Sequence, residues 1–243
     1  MTGPSSVPEL TVALPAYEEG ANLNQLIPRL HETLTALHIP YEIIVVDTET
    51  PHDDTPAICA RHGARYLPRE GGPLYSHAVR TALAASRGRR VVLMDADGSH
   101  GPGFVANLWA ERDGADLVIA SRYMPGGRTE NPAILIFLSL TVNVVFRLVL
   151  GLRCADVSNS FRLYHGDDLR ALTLECENFD IVEEILVKLC CARPGYRVKE
   201  IPFTFEKRKA GRTKRNLLRF ALSYAGTLWR LTRLKRRVQR ALS

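Results

Sequence analysis

Two carboxylates separated by one residue, Asp95 and Asp97, follow an apolar run near the middle of the chain. The segment 94–100 has the sequence MDADGSH, and the preceding Val and Leu residues are typical of a buried strand. Two carboxylates at the end of such a strand can share one hard divalent cation, Mg²⁺ or Mn²⁺, whose other positions are commonly filled by substrate phosphates. The structural alternative is that Asp97 or Ser99 caps a helix that begins near Pro102.

Other polar residues follow the neighbouring strands that the sequence predicts. Apolar strand patterns at 10–17, 41–47, 65–68, 89–96 and 116–121 alternate with helical patterns at 22–37, 57–62, 76–86 and 102–112. This order is typical of an α/β fold with an open, mostly parallel sheet flanked by helices. Such sheets bind ligands at the carboxyl ends of their strands. The polar residues at these ends are Tyr17, Glu18, Glu19, Asp47, Asp95, Asp97 and Arg122, and they predict a binding site on one edge of the sheet.

A long apolar stretch follows this region, at residues 133–152, with Arg147 as its one charged residue. Its length is near the lower limit for a helix that spans a membrane. Asn143 and Arg147 lie one helical turn apart and therefore share a face. We expect residues 133–150 to form either an interfacial helix or a buried core helix rather than a membrane span.

The C-terminal part of the chain is strongly basic. Of the 32 Lys and Arg residues, 13 lie after Glu206, where none of the 26 acidic residues occurs. Within it, residues 217–238 carry an apolar stripe at helical spacing, and we expect Leu217, Leu228, Leu231 and Trp229 to insert into lipid. We therefore predict two parts, a catalytic domain at 1–214 and a basic amphipathic tail at 215–243 that binds an anionic membrane surface. The alternatives are packing on the core or on a second subunit, a solvated helix face, and a nucleic-acid-binding module. The apolar stripe favours lipid over nucleic acid.

The cysteines and the N-terminal segment bear on where the protein acts. The five cysteines form no C-x-x-C pair and are odd in number, which is typical of reduced thiols. The first residues lack a basic start and an apolar run, so we expect no signal peptide. The predicted location is the cytoplasm, with peripheral attachment to the inner face of a membrane. The P-loop, dinucleotide and nucleophile-elbow motifs are absent from the sequence.

Seven sequence motifs resemble, in their order, those of family 2 glycosyltransferases with the GT-A fold. The chain is most similar to the dolichyl- or polyprenyl-phosphate mannose synthases of that family, and the resemblance covers residues 10–214. The motifs are PAYEE at 15–19, IIVVD at 43–47, DADGSH at 95–100, ASRYMPGG at 120–127, DVSNSFRLY at 156–164, VEEILVK at 182–188 and EIPFTFEKRKAGRTK at 200–214.

The resemblance implies a role for individual positions. Contacts to the donor nucleotide would come from Pro15, Tyr17, Glu19, Asp47 and Asp95. Asp95 and Asp97 would hold the metal. The catalytic residues would be Asp97, which acts through the metal, and Arg122, Arg208 and Lys214, which stabilise the charge of the reacting phosphates. The last two would lie on a loop that closes over the diphosphate, with Gly211 permitting the closure.

The resemblance also implies a reaction. A metal-dependent inverting enzyme would transfer a hexose from a nucleotide-diphosphate sugar, of the GDP-mannose or UDP-glucose type, to a polyprenyl phosphate. Relatives often carry basic residues soon after the paired glycines, whereas residues 130–140 of this chain contain none. A lipid or small-molecule hydroxyl acceptor is therefore the alternative, and it would need a base from Asp180, Glu183 or Glu184. A non-catalytic nucleotide-binding protein on the membrane surface is a further alternative, against which Asp95 and Asp97 argue.

Overall fold

A seven-stranded sheet forms the centre of the protein in a computed structural model that describes residues 7–206 and 217–242. The strands of this sheet are β1 (Leu10–Pro15), β2 (Tyr41–Asp47), β3 (Arg65–Pro68), β4 (Arg90–Leu93), β5 (Leu117–Ser121), β7 (Arg162–His165) and β8 (Val198–Pro202). Their spatial order is β3-β2-β1-β4-β7-β5-β8, and all neighbouring pairs are parallel except those that β7 makes. Two short strands, β6 (Arg128–Thr129) and β9 (Thr204–Phe205), pair in a second small sheet.

Helices cover both faces of the large sheet. Their bounds are α1 (Gly20–Thr35), α2 (Thr55–His62), α3 (Tyr75–Ala85), α4 (Phe104–Ala110), α5 (Ala133–Leu150), α6 (Gly166–Arg170), α7 (Ile181–Ala192) and α8 (Leu217–Leu242). One apolar core joins α1, α2 and α4 to the sheet, and a second joins α3, α5, α6, α7 and α8 to the opposite face. Because both faces are buried, the parallel strands carry continuous Val, Ile and Leu runs.

The predicted α/β architecture is confirmed, and the differences lie in the second half of the chain. The five predicted strands and four predicted helices of the first 121 residues all form, with ends shifted by a few residues. Prediction missed β7, which lies antiparallel between β4 and β5. This strand has only four residues and begins with Arg162, so it lacks the apolar run that identifies a buried strand.

The apolar segment after Gly127 forms α5, and most of its side chains are exposed. Phe146 is 2% exposed, whereas Ile134, Phe137 and Leu148 are 60%, 65% and 78% exposed. The expectation of a buried core helix is therefore wrong. Among the described residues, α5 is the one helix that is long and apolar enough to cross a membrane by length and composition.

The predicted C-terminal helix also forms, as α8, but its apolar stripe packs on the protein. Tyr224 and Leu231 are 8% and 3% exposed, and the Tyr224 ring meets the Phe146 ring of α5 with 5.9 Å between centroids. The expectation that Leu231 inserts into lipid is wrong, because this side chain belongs to the core. Trp229 is 59% exposed, and the Arg233 guanidinium lies 4.3 Å from the centre of its ring.

A close approach of two backbone segments predicts a measurable cost at Gly166. A Cβ atom at this position would lie 2.2 Å from the carbonyl oxygen of Gly88, a fixed main-chain atom. We expect Gly166→Ala to lower the melting temperature by at least about 4 °C, because overpacking of this kind costs on the order of 1–3 kcal/mol. Thermal unfolding followed by circular dichroism measures the change.

Gly103→Ala is the matched control, because a Cβ atom there has nothing within 4 Å among the described residues. Its melting temperature should stay within about 2 °C of the parent protein. Equal melting temperatures for the two variants would contradict the packing described here.

Candidate active site

The two carboxylates of the DADGSH segment lie on a closed turn just beyond β4. The backbone N–H of Asp95 donates to Nδ1 of His100 across 3.0 Å, which joins the two ends of the turn. Gly98 adopts a left-handed conformation with φ of 80°, which glycine accepts without strain. Asp97 Oδ1 accepts hydrogen bonds from Ser99 N and Oγ at 3.0 and 2.5 Å. Neither Asp97 nor Ser99 caps a helix here, since α4 begins after Gly103 without a side-chain cap.

Two hydroxyl groups orient the carboxylate of Asp95. Tyr75 Oη and Ser160 Oγ donate to the same oxygen, Oδ1, across 3.2 and 2.9 Å. The Tyr75 ring is in turn stacked on Phe179, with 4.8 Å between centroids. Since both hydroxyl donors take Oδ1, the second oxygen of Asp95 is the one that a cation would meet.

The donor set of this turn fits a hard divalent cation. Within the described residues, no group of three His, Cys, Asp or Glu side chains is placed to hold a metal. Asp95 and Asp97 would therefore supply protein oxygens, and the remaining ligands would be substrate phosphate and water. Mg²⁺ and Mn²⁺ accept this arrangement, because one or two carboxylates with substrate phosphates is a common way of binding Mg²⁺.

A buried acid–base pair lies at the end of β2, next to the first strand. Asp47 is fully buried, and burial raises the pKa of its carboxyl group. Arg69 Nη2 lies 3.8 Å from Asp47 Oδ1 and donates to the carbonyl oxygen of Ala16 across 2.6 Å. Neither carboxylate oxygen of Asp47 accepts a hydrogen bond within the described residues. Because an unsatisfied buried acceptor is costly, this carboxylate is suited to N–H or hydroxyl donors of a nucleoside.

The remaining predicted donor-binding residues lie on the same edge of the sheet. Pro15 ends β1 beside Val46, and Tyr17 follows it with its side chain 39% exposed. The Arg69 guanidinium lies 5.8 Å from the centre of the Tyr17 ring. Glu19, which is 7% exposed, precedes α1. The fold thus brings the end of β1, the end of β2 and the turn after β4 to one edge.

Arg122 lies in a buried ion pair rather than as an unpaired cation facing the cleft. Its Nε and Nη2 atoms donate to Asp156 Oδ2 and Oδ1 across 2.8 and 2.7 Å. Burial by itself would lower the pKa of Arg122, but the charge and hydrogen bonds of Asp156, together with the charges of Tyr123 and Asp95, raise it. Nη2 also donates to Ser158 Oγ, and it lies 3.4 Å from Ser139 Oγ of α5. These contacts fix the guanidinium, and a role of Arg122 toward a phosphate stays a prediction.

The three carboxylates expected to serve a hydroxyl acceptor are all buried. Glu184 accepts hydrogen bonds from the backbone N–H groups of Glu175 and Cys176 and pairs with Lys188 at 2.8 Å, so it holds a loop in place. Asp180 Oδ2 accepts hydrogen bonds from Ser223 and Thr227 of α8. Glu183 is fully buried, and burial raises its pKa to about 8. The role of one of these groups as a base for a hydroxyl acceptor stays a prediction.

Two predicted residues, Arg208 and Lys214, lie outside the described residues. The last described residue before them is Glu206, whose backbone N–H donates to the carbonyl oxygen of Ser99 across 3.1 Å. The chain therefore reaches the DADGSH turn one residue before Lys207. The positions of Arg208 and Lys214 over a diphosphate remain predictions.

Sequence reasoning missed Arg69 and Tyr75 and assigned no role to Asp156 or His100. Arg69 follows a short strand, and its partners lie up to 53 positions away, so no local pattern identifies it. Tyr75 opens an Ala-rich helix that reads as ordinary packing. Asp156 and His100 lie inside recognised motifs, which was the signal that could have identified them.

Comparisons with known proteins identify the family of the chain. Residues 11–172 match the family described as Glycosyl transferase family 2. The chain is 31% identical over 215 residues to polyprenol monophosphomannose synthase of Mycolicibacterium smegmatis, which covers 84% of this chain and 79% of that protein. It is 32% identical over 212 residues to undecaprenyl-phosphate mannosyltransferase of Micrococcus luteus, which covers 83% of this chain and 85% of that protein.

Solved structures share the fold. Glucosyl-3-phosphoglycerate synthase of Mycobacterium tuberculosis, in complex with Mn²⁺, UDP and phosphoglyceric acid, superimposes with a TM-score of 0.71 and 21% identity. The match covers 93% of this chain and 78% of that one. The fold is therefore of the GT-A type. The chain belongs to glycosyl transferase family 2, and it is a glycosyltransferase.

The buried carboxyl group of Glu183 predicts a specific dependence of stability on pH. Its pKa is raised from 4.5 to about 8, so folding keeps this group protonated at neutral pH. Below pH 4.5 the carboxyl group is protonated in both the folded and the unfolded protein, so the free energy of unfolding has its full value. The free energy of unfolding then falls as the pH rises through about 8. We expect Glu183→Gln to melt higher than the parent protein at pH 8, by at least about 2–4 °C, and to lose most of this advantage at pH 5.

Glu70→Gln is the matched control, because Glu70 is exposed and should give no pH-dependent difference. Melting curves from pH 5 to pH 8 provide the measurement. A parallel pH dependence for Glu183→Gln and the parent protein would show that Glu183 is ionised in the folded state.

Proposed function

We propose that the protein transfers a hexose from a nucleoside-diphosphate sugar to a polyprenyl phosphate at the cytoplasmic face of a membrane, with Mg²⁺ or Mn²⁺ as cofactor. The donor is of the GDP-mannose or UDP-glucose type. The two relatives named above act, by their names, on polyprenol and undecaprenyl phosphates. The observation that carries the proposal is the contact that joins the site to the exposed apolar helix, from Arg122 through Ser139.

This contact places the exposed apolar helix beside the guanidinium of Arg122, whose charge is paired with Asp156. Ser139 lies within the first half of α5, and the exposed side chains of Ile134 and Phe137 precede it on the same helix. A polyprenyl phosphate needs apolar surface for its chain and a cation for its phosphate. The Arg122–Ser139 contact places the apolar surface of α5 beside the guanidinium that we propose for the second role.

The proposed reaction is a direct displacement. A phosphate oxygen of the acceptor attacks the anomeric carbon as the bond from that carbon to the donor diphosphate breaks, and the electron pair leaves with the nucleoside diphosphate. The configuration at the anomeric carbon is inverted. A phosphate acceptor is already ionised at neutral pH, which agrees with the burial of Asp180, Glu183 and Glu184. A hydroxyl acceptor would need a base, and the three candidates for that role are all buried.

The charge that develops on the leaving group requires stabilisation. A divalent cation held by Asp95 and Asp97 would supply Lewis-acid stabilisation of this charge. Asp95 and Asp97 would orient it, while Pro15, Tyr17, Glu19 and Asp47 would hold the nucleoside. Arg208 and Lys214 would add positive charge as the diphosphate departs.

Membrane attachment follows in this proposal from α5 and from the outer face of α8. Exposed apolar side chains of α5 would enter the lipid interface, and the basic residues of α8 would meet anionic headgroups. The basic side chains exposed on α8 are Arg230, Arg233, Arg236, Arg237 and Arg240. Trp229, also exposed, is the residue of α8 that suits the interface.

The metal assignment is tested by Asp97→Asn, which keeps the size of the side chain and removes its charge. We expect the release of nucleoside diphosphate from GDP-mannose or UDP-glucose, in the presence of Mn²⁺ and polyprenyl phosphate, to fall by at least about 100-fold. The parent protein should lose the same activity when Mn²⁺ is omitted. Asp113→Asn, on a side chain that is 80% exposed, is the matched control and should keep full activity. Metal-dependent turnover by a folded Asp97→Asn protein would refute the assignment.

The membrane proposal is tested by charging the exposed face of α5. Leu148→Glu should reduce flotation with anionic liposomes by about threefold or more, because a carboxylate in the interface opposes both apolar burial and headgroup charge. Val7→Glu, at another exposed apolar side chain, should leave flotation unchanged. Point substitutions are preferable to truncation after Lys214, since removal of α8 would take Tyr224 and Leu231 from the core. A parent protein that ignores anionic liposomes at low salt would contradict the proposal.

A further inference from the structure

His100 makes the hydrogen bond that closes the turn carrying the two acidic residues. Its Nδ1 atom accepts from the backbone N–H of Asp95 across 3.0 Å. The turn spans six residues, and Asp97 lies inside it. The separation of the two carboxylates therefore depends on the bond between the ends of the turn. The side chain is fully buried, so water does not replace this acceptor.

Three aromatic rings hold the imidazole in one orientation. The ring of Phe161 stacks on it with 4.7 Å between centroids and an angle of 12° between the planes. The rings of Phe203 and Phe205 contact it edge-on, at 5.9 and 5.4 Å. Because Nδ1 accepts a hydrogen bond, the neutral ring carries its proton on Nε2. The imidazole cannot rotate away from Asp95 without displacing these rings.

The same aromatic contacts connect the turn to another part of the site. Phe205 is in β9, and Glu206 immediately after it donates from its backbone N–H to the carbonyl oxygen of Ser99. The turn is thus attached to β9 by one hydrogen bond and one ring contact. Beyond Glu206 the chain continues toward Arg208, the residue proposed to meet the diphosphate.

We propose that His100 is a positioning residue that holds the carboxylates of Asp95 and Asp97 at the spacing that a divalent cation requires. Two carboxylates repel each other in the absence of a cation, so an unclosed turn would let them separate. His100 is not itself a metal ligand, since its Nδ1 atom is occupied by the Asp95 N–H. The inference rests on the proposed metal-dependent function, and it adds a residue to which that function assigns no role.

Three substitutions separate the hydrogen bond from the packing. His100→Phe keeps an aromatic ring against Phe161 and removes the acceptor. His100→Asn loses the ring but carries an amide oxygen at the position of Nδ1. His100→Gln carries its amide one bond farther from the backbone, where it does not meet the Asp95 N–H.

The readout is the affinity for Mn²⁺, measured by electron paramagnetic resonance on the full chain with GDP or UDP bound, so no turnover is required. We expect His100→Phe and His100→Gln to bind Mn²⁺ about 10-fold or more weakly than the parent protein, as loss of a residue supporting a metal ligand does. His100→Asn should stay within about threefold of the parent. Melting temperatures and nucleotide affinity without metal, measured on the same samples, report on folding and on the nucleoside pocket.

The outcomes distinguish this inference from the proposed function. If the parent protein does not bind Mn²⁺, the metal-dependent function and the inference both fail. If the parent binds Mn²⁺ and His100→Phe and His100→Gln bind it equally well, His100 is only a packing residue and the inference alone fails. If His100→Phe does not fold, the comparison of His100→Asn with His100→Gln decides, and equal Mn²⁺ affinities for those two refute the inference.

Discussion

The buried ion pair between Arg122 and Asp156 is the interaction on which the second half of the structure depends. Asp156 accepts three hydrogen bonds from Arg122, through its backbone N–H, Nε and Nη2. A buried pair of this kind need not stabilise the fold relative to an apolar pair, but removal of one partner costs about 3–5 kcal/mol because the other charge is left unpaired. The pair therefore strongly disfavours any arrangement in which β5 and residues 151–161 separate.

Several elements of the site are placed by that constraint. Glu200 of β8 accepts from the backbone N–H groups of Ala155 and Asp156, and Asn159 donates to the carbonyl oxygen of Ala120. The segment so fixed leads directly into β7, the antiparallel strand between β4 and β5. Ser160, which lies at the end of this segment, thereby reaches Asp95. The Arg122–Asp156 pair thus helps to orient the carboxylate of Asp95 in the DADGSH turn.

The first half of the fold follows from local sequence patterns, and the second half depends on long-range pairing. Parallel strands buried on both faces carry apolar runs that identify them, and their polar ends identify the edge where ligands bind. No local pattern marks β7, because Arg162 begins it and its hydrogen bonds go to Val157 and Val182. The burial of an apolar helix also cannot be predicted from its own sequence. The α5 helix has the composition of a core helix, but most of its side chains are exposed.

Some residues of the candidate site could be predicted from the sequence, and others could not. The residue types and spacing predicted Asp95 and Asp97 together, and the edge of the sheet predicted Asp47 beside them. Arg69, which pairs with Asp47, could not be predicted. Its guanidinium donates hydrogen bonds to main-chain carbonyl oxygens of other segments, which no local pattern indicates. The sequence also could not show whether the apolar stripe of α8 packs on the core or inserts into lipid, because both require the same helical spacing of apolar residues.

The central claim is that the acceptor is a lipid phosphate, and one comparison tests it directly. A polyprenyl phosphate and the polyprenol of the same chain length are placed in identical vesicles with the parent protein, Mn²⁺ and a hexose-labelled nucleotide sugar. The label extracted with the lipid is then counted. We expect labelled lipid from the phosphate, in a product that releases the hexose in mild acid, and none above background from the polyprenol. Equal labelling of the polyprenol, or donor turnover without labelled lipid from the phosphate, would contradict it.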